Sequence, residues 1–154
     1  MTGRERVCFY SVSSSHLSIL VAYDESRPAQ NAVKRAVNAA DGEEIILLRV
    51  IEAADGMIEA GVDILQERLK ERQAKKRNEL SGDITEKLEM EDVDFRVETA
   101  VGKPAREVVS FAEENDVSEV VVGSHGREGV SRVLLGNVAE KVVRRAPVTV
   151  IVVR

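Results

Sequence analysis

The sequence predicts an α/β fold: a doubly wound, mainly parallel sheet of five strands with helices on both faces. Three observations carry this expectation. Five aliphatic runs recur along the chain, a helical pattern separates each from the next, and no hairpin signal joins any two of them. Strict β-α alternation requires right-handed crossover connections, and crossovers bring helices onto both faces of the sheet. Sheets of this kind bind ligands beyond the carboxyl ends of their strands, where the strand order reverses.

Each element has a local justification. "LSILVAY" (17–23) is a continuous apolar run, as a strand covered on both faces requires. In the following "DESRPAQNAVKRAVNAA", Asp24 and Ser26 are available as caps, and Ala29, Val33, Ala36, Val37 and Ala40 recur at helical spacing. Gly42 ends that helix, and "EIILLRVIE" (44–52) is a second buried strand. From 53 to 92 there is no strand signal. Ile58, Val62, Leu65 and Leu69 share one helical face and Leu80, Ile84 and Leu88 resume it, so a long helix is expected, with the charge run "KERQAKKRNE" as a solvated middle and Gly82 as the place where it kinks or splits. "VDFRVETAV" (93–101) alternates like a strand with one exposed face. Gly102 then turns the chain, Pro104 stands near a first helical position, and Ala105, Val108, Val109 and Ala112 form the seam of the next helix. "VSEVVVG" (117–123) is a buried strand, "VLLGNVAEKVVRRA" holds the last helix, and "PVTVIVV" (147–153) is the last strand.

Composition narrows the function. At 154 residues, with 44% apolar and 32% charged residues but only 3% aromatic, the core must be built from Val, Ile, Leu and Ala. A net charge of −5 argues against nucleic acid, which needs a clustered basic surface, but leaves room for a small anion held by backbone dipoles. The lone Cys8 rules out an intramolecular disulfide and a cysteine-based zinc site, and it suits a cytoplasmic protein. No apolar run reaches the roughly 18–20 residues of a membrane span, so no membrane partner is expected. Residues 1–16 read as an N-terminal extension to a domain over 17–154, because the apolar stretch "VCFYSV" is too short for a secretory signal.

The chemistry gathers after the fourth strand, in "GSHGREGVSRVLLGN". Its spacing, Gly123-x2-Gly126-x9-Gly136, matches neither GxxxxGK[ST] nor GxGxxG. "REGVSRVLL" is long enough to loop out and return, which would lay Gly136 back beside Gly126. Two readings stay open on the residues alone: the glycines let the chain reverse, or they bring bare N–H groups up to a chain of phosphates. In the second, the unpaired N–H groups of a helix starting near Asn137 point at the same anion. Asp24, at the end of the first strand, is either a helix cap or a ligand contact. His125 is a phosphate or ribose neighbour, a plain turn residue or a catalytic base, and Arg127 either screens phosphate charge or is solvated.

The stretch "VVVGSHGREGVSRVLLGNVAEKVVRRAPVTVIVV", together with "ILVAYDES", "LLRVI" and "VGKPAREVV", closely resembles the universal stress protein family. In the family's nucleotide-binding members the motif is G-x2-G-x9-G followed by Ser or Thr. The resemblance implies a five-stranded parallel sheet of order 3-2-1-4-5. It also implies ATP or a related adenine nucleotide, with Mg2+ or Mn2+ held through the phosphates. Carried over by position, Ala22 and Asp24 lie at the nucleotide, Asp24 holding the ribose or a metal-bound phosphate, and Val50 contacts adenine through its backbone. Gly123 and Gly126 face ribose and phosphates, with His125 and Arg127 beside them, while Gly136, Asn137 and Val138 close over the phosphate tail. Asn137 stands where the stricter motif has a hydroxyl, which puts the grip on the terminal phosphate in question.

The function so implied is a regulatory or stress-response binding protein with little or no ATP hydrolysis, acting through a downstream protein that the sequence does not identify. A nucleotide-free dimeric scaffold of the same family is the alternative, and a slow metal-dependent phosphohydrolase the third reading. No direct metal site and no evident base pattern supports the last. The final strand, apolar on both faces and placed at a sheet edge by the family topology, is expected to form a homodimer through Val148, Val150, Ile151 and Val152.

Overall fold

The computed structural model describes residues 17–52, 82–125 and 135–154. Residues 1–16, 53–81, where a long helix was expected, and 126–134, with Gly126 and Arg127, lie outside the described residues. Five strands form one parallel sheet: β1 (Ser18–Ala22), β2 (Glu44–Ile51), β3 (Phe95–Val101), β4 (Val117–Gly123) and β5 (Thr149–Val153), in the order β3-β2-β1-β4-β5. The expected 3-2-1-4-5 order is the observed one.

The strands form where β-branched and aliphatic residues run without a break, because β1, β2 and β4 are covered on both sides. Their alternation sorts the core into two layers. Ile19, Val21, Ile45, Leu47 and Val121 pack under α1 (Arg27–Ala39) and α2 (Gly82–Met90). Leu20, Ile46, Leu48 and Val120 pack under α3 (Pro104–Glu114) and α4 (Asn137–Arg145). Register matches the layers, with Ile19 opposite Ile45 and Val21 opposite Leu47, so a one-residue slip would send each set to the wrong helices. Every such side chain, fully buried, contributes about 1.5–3 kcal/mol.

Helix ends follow the local signals. Pro28 lies in the first turn of α1 and Pro104 opens α3. α1 stops at Ala39 because Ala40 is extended, its N–H still bonded to the Ala36 carbonyl at 2.9 Å; Gly42, at φ 82, then turns the chain toward β2. Gly82 is the first residue of α2, and Ile84 and Leu88 supply its buried face. Arg144 and Arg145 sit in the last turn of α4, where a positive charge complements the helix dipole.

The two sheet edges differ. On β3, Arg96 is ion-paired with Glu44 of β2 and with Glu98 at 3.2 Å, and Ser18 Oγ approaches the same Glu44 at 3.5 Å. Such half-exposed pairs are worth at most about 1 kcal/mol each, but they leave that edge strongly polar. β5 carries only Thr149 among aliphatic residues, and it lies at the other edge.

Candidate functional site

The strand order reverses between β1 and β4. β1 hands its chain to α1 on one face, and β4 leads on to α4 on the other, which opens a crevice at their carboxyl ends. At the β1 side, Asp24 Oδ1 accepts from the Ser26 N–H at 3.0 Å, and Ser26 Oγ accepts from the Ala29 N–H at 3.3 Å. The helix cap is therefore Ser26, and Asp24 shapes the turn before it. Between them Glu25 holds φ 68, a left-handed conformation that costs a non-glycine residue about 1–2 kcal/mol. Its carboxylate meets Arg49 at 2.7 Å and its carbonyl accepts from Gln30 Nε2 at 3.3 Å, so the strained turn is tied down twice. Sequence reading missed this pair; within the apolar run of β2, Arg49 has no partner visible in sequence.

At the β4 side, Ser124 joins three elements. Its N–H donates to the Val153 carbonyl at the end of β5, and its carbonyl accepts from the Gly136 N–H at the start of α4, both at 2.6 Å. Gly136 thus lies beside Ser124 and His125; Gly126, beside which it was expected, is outside the described residues. A Cβ at Gly136 would stand 2.8 Å from the Ser124 carbonyl oxygen and 3.3 Å from His125 Cα. Gly136 is the N-cap of α4 and offers no side-chain cap, so the first N–H groups of that helix, Asn137 and Val138 among them, have no intrahelical acceptor. Ser124 Oγ lies 3.0 Å from His125 Nδ1, while the buried His125 Nε2 has no hydrogen-bond partner among the described residues.

Gly123 has a packing role beside the one the motif implied. A Cβ there would meet Pro28 Cβ at 2.8 Å, the Pro28 carbonyl carbon at 2.9 Å and the Ala29 nitrogen at 3.0 Å. Its small size admits the first turn of α1, a packing need that is independent of any ligand. Gly123→Ala is expected to cost about 1–3 kcal/mol by overpacking, which in a chain of this size lowers Tm by roughly 2–4 °C per kcal/mol. A melting curve unchanged by the substitution would show that α1 yields at no cost.

The remaining predicted residues fall around the crevice. Ala22 is the last residue of β1, opposite Leu48 and Val122. β2 runs one residue beyond Val50, to Ile51, whose carbonyl accepts from the Gly102 N–H on the β3 side. Main-chain direction alternates along a strand, so the polar groups of Val50 turn toward β1, past the bond from the Tyr23 N–H to the Leu48 carbonyl. Val138 packs its side chain into the layer under α3 and α4, which leaves only its backbone to face a ligand. Among the described residues, no three or more His, Cys, Asp or Glu side chains gather as a metal site, and no helix is long and apolar enough to cross a membrane.

An open α/β sheet with its crevice at the β1–β4 reversal, a tied turn on one side and an uncapped helix start on the other, defines a doubly wound protein of the switch-point class. Residues 17–154 match the model of the universal stress protein family, and the chain belongs to that family. It is similar to the universal stress protein MJ0577 of Methanocaldococcus jannaschii, with 32% identity over 93% of this chain and 98% of that one. The solved structure of MJ0577 aligns with a TM-score of 0.68 over 90% of this chain and 96% of that chain, at 30% identity. The universal stress protein UspA of Lactobacillus plantarum aligns at 0.69 and 25% identity, covering 92% and 99%. A universal stress protein of Archaeoglobus fulgidus solved in complex with dAMP shares the fold at 0.63 and 20% identity, covering 91% and 99%.

Proposed function

We propose that the chain binds ATP or a related adenine nucleotide, with Mg2+ or Mn2+ carried by the phosphates, and acts as a cytoplasmic regulatory protein with little or no hydrolysis. One observation carries the reading: the bond from the Gly136 N–H to the Ser124 carbonyl sets the uncapped start of α4 beside His125 at the end of β4. Unpaired helix N–H groups there suit an anion, stabilising it by about 0.3–1 kcal/mol, or ~2 when partly buried. Asp24, Ala22 and the β1-facing backbone of Val50 would meet the adenosine on the β1 side, and Asn137, at the first helical position, would present an amide to distal phosphates. The dAMP complex of the Archaeoglobus fulgidus protein supports an adenine ligand in this fold. Gly126 and Arg127 are further proposed contacts.

Calorimetry with ATP is expected to give a micromolar Kd, about −8 kcal/mol at 1 μM. Gly126→Val should weaken binding at least tenfold in a folded protein by blocking backbone approach. Equal affinity in that variant would remove the phosphate cradle from the reading and leave the nucleotide-free scaffold as the better one.

The chain is further proposed to work as a homodimer through β5. Support comes from its edge position and its apolar residues: Val148 and Val150 lean toward the α3–α4 layer, Ile151 and Val153 toward the α1–α2 layer, and all stay only partly buried.

A further inference from the structure

We propose that Ser124 is a positioning residue: it fixes which ring nitrogen His125 presents to an anionic phosphate in the β1–β4 crevice. This rests on the nucleotide reading above. Ser124 is only 5% exposed, and its backbone is pinned from both sides, by Val153 of β5 and by Gly136 of α4. Its Oγ therefore has little freedom, and it lies 3.0 Å from His125 Nδ1. A neutral imidazole carries one proton. When the serine hydroxyl donates to Nδ1, that proton sits on Nε2, which becomes a donor. Nε2 is buried with no partner among the described residues, so its N–H finds no acceptor among them. An anionic oxygen entering the crevice is the acceptor that this arrangement fits, and a charged acceptor strengthens the bond.

The hydroxyl could equally accept from Nδ1–H; in the proposed direction it donates, and so it holds the ring proton on Nε2 and the ring in one orientation. Without it, the ring can turn over or shift its proton and present a bare nitrogen, which repels the anion. Charged residues on the surrounding elements are Asp24, Glu25 and Arg27 near the start of α1, Glu140 in α4 and Arg154 after β5. Of these, Glu25 is paired with Arg49 and Glu140 with Arg144. All are unchanged in a Ser124 variant, so comparing variant with wild type isolates the hydroxyl.

The test measures magnesium–ATP affinity by calorimetry for wild type, Ser124→Ala and Ser124→Thr. Ser124→Ala should bind about five- to tenfold more weakly, as expected for the loss of one charge-assisted bond. Ser124→Thr, which keeps the hydroxyl, should restore affinity. In the ligand-free protein, ¹⁵N NMR of the ring should show Nε2–H in wild type and a tautomer mixture in Ser124→Ala. No loss of affinity in Ser124→Ala, or Nδ1–H in wild type, overturns the proposal. Wild type that binds no ATP defeats the nucleotide reading instead, and the phosphate half of this inference falls with it. The ring tautomer seen by NMR still decides the Ser124–His125 half, since that measurement needs no ligand.

Discussion

Val150→Pro is expected to turn a dimer into a monomer in light scattering while leaving the sheet intact. The Ser124 N–H bonds the Val153 carbonyl, so the polar main-chain groups of Val153 face β4. Alternation turns those of Ile151 and Thr149 the same way and leaves those of Val150 and Val152 at the outer edge. Proline at 150 removes an outer N–H and blocks close approach of a partner strand, at the cost of the lost ladder bond and the clash. A two-fold interface carries the substitution twice, so dissociation should rise by well over a hundredfold. Ile151→Pro is the wrong probe of the edge, because it strikes the pairing with β4 and should lower thermal stability first. Wild-type protein that scatters as a monomer at tens of micromolar would end the dimer proposal, since a working interface would be populated there.

Gly136→Val should abolish measurable nucleotide binding, with a loss of at least tenfold, and cost about 1–3 kcal/mol of stability. Its φ of −62° and ψ of 156° are open to any residue, so the penalty is steric and not conformational. The added Cβ would press on the Ser124 carbonyl oxygen at 2.8 Å, a backbone atom that cannot swing aside. Relief requires the start of α4 to retreat, which breaks the 2.6 Å bond and carries the helix N–H groups away from His125. Gly136→Ala places the same Cβ with less bulk and should lie between the two. Calorimetry paired with thermal melts separates the effects; full affinity in Gly136→Val would show that the α4 start takes no part in binding.

Much of the fold was legible because burial writes itself into composition. "EIILLRVI" and "VSEVVVG" are uninterrupted because both faces of β2 and β4 are covered, and no hairpin could satisfy such strands. The return of Gly136 to the β4 turn was legible from spacing alone. Other features were not, because they depend on what lies across the fold. The packing of Gly123 against Pro28 and Ala29 leaves no mark in the motif spacing. Asp24 and Ser26 both looked like caps, and only the hydrogen bonds show that Ser26 caps the helix while Asp24 braces the turn. The tether of Ser124 to Val153 and Gly136 is made by backbone groups, which leave no mark on residue type. Edge direction in β5 was invisible for the same reason. Side-chain alternation was plain in "TVIVV", but the facing of N–H and C=O depends on the neighbouring strand.

The unequal sheet edges bear on how large an assembly can grow. If both ends of the sheet were adhesive, each subunit would have a valence of two and could add neighbours without limit, as strands do in a fibre. Here the β3 end presents Arg96 between Glu44 and Glu98, whose charges would have to shed water before another strand could dock. Among the described residues the apolar edge is the β5 end, so in the proposed dimer the subunit would be univalent. A univalent edge that pairs with its own copy is used up in the act, and growth would terminate at two.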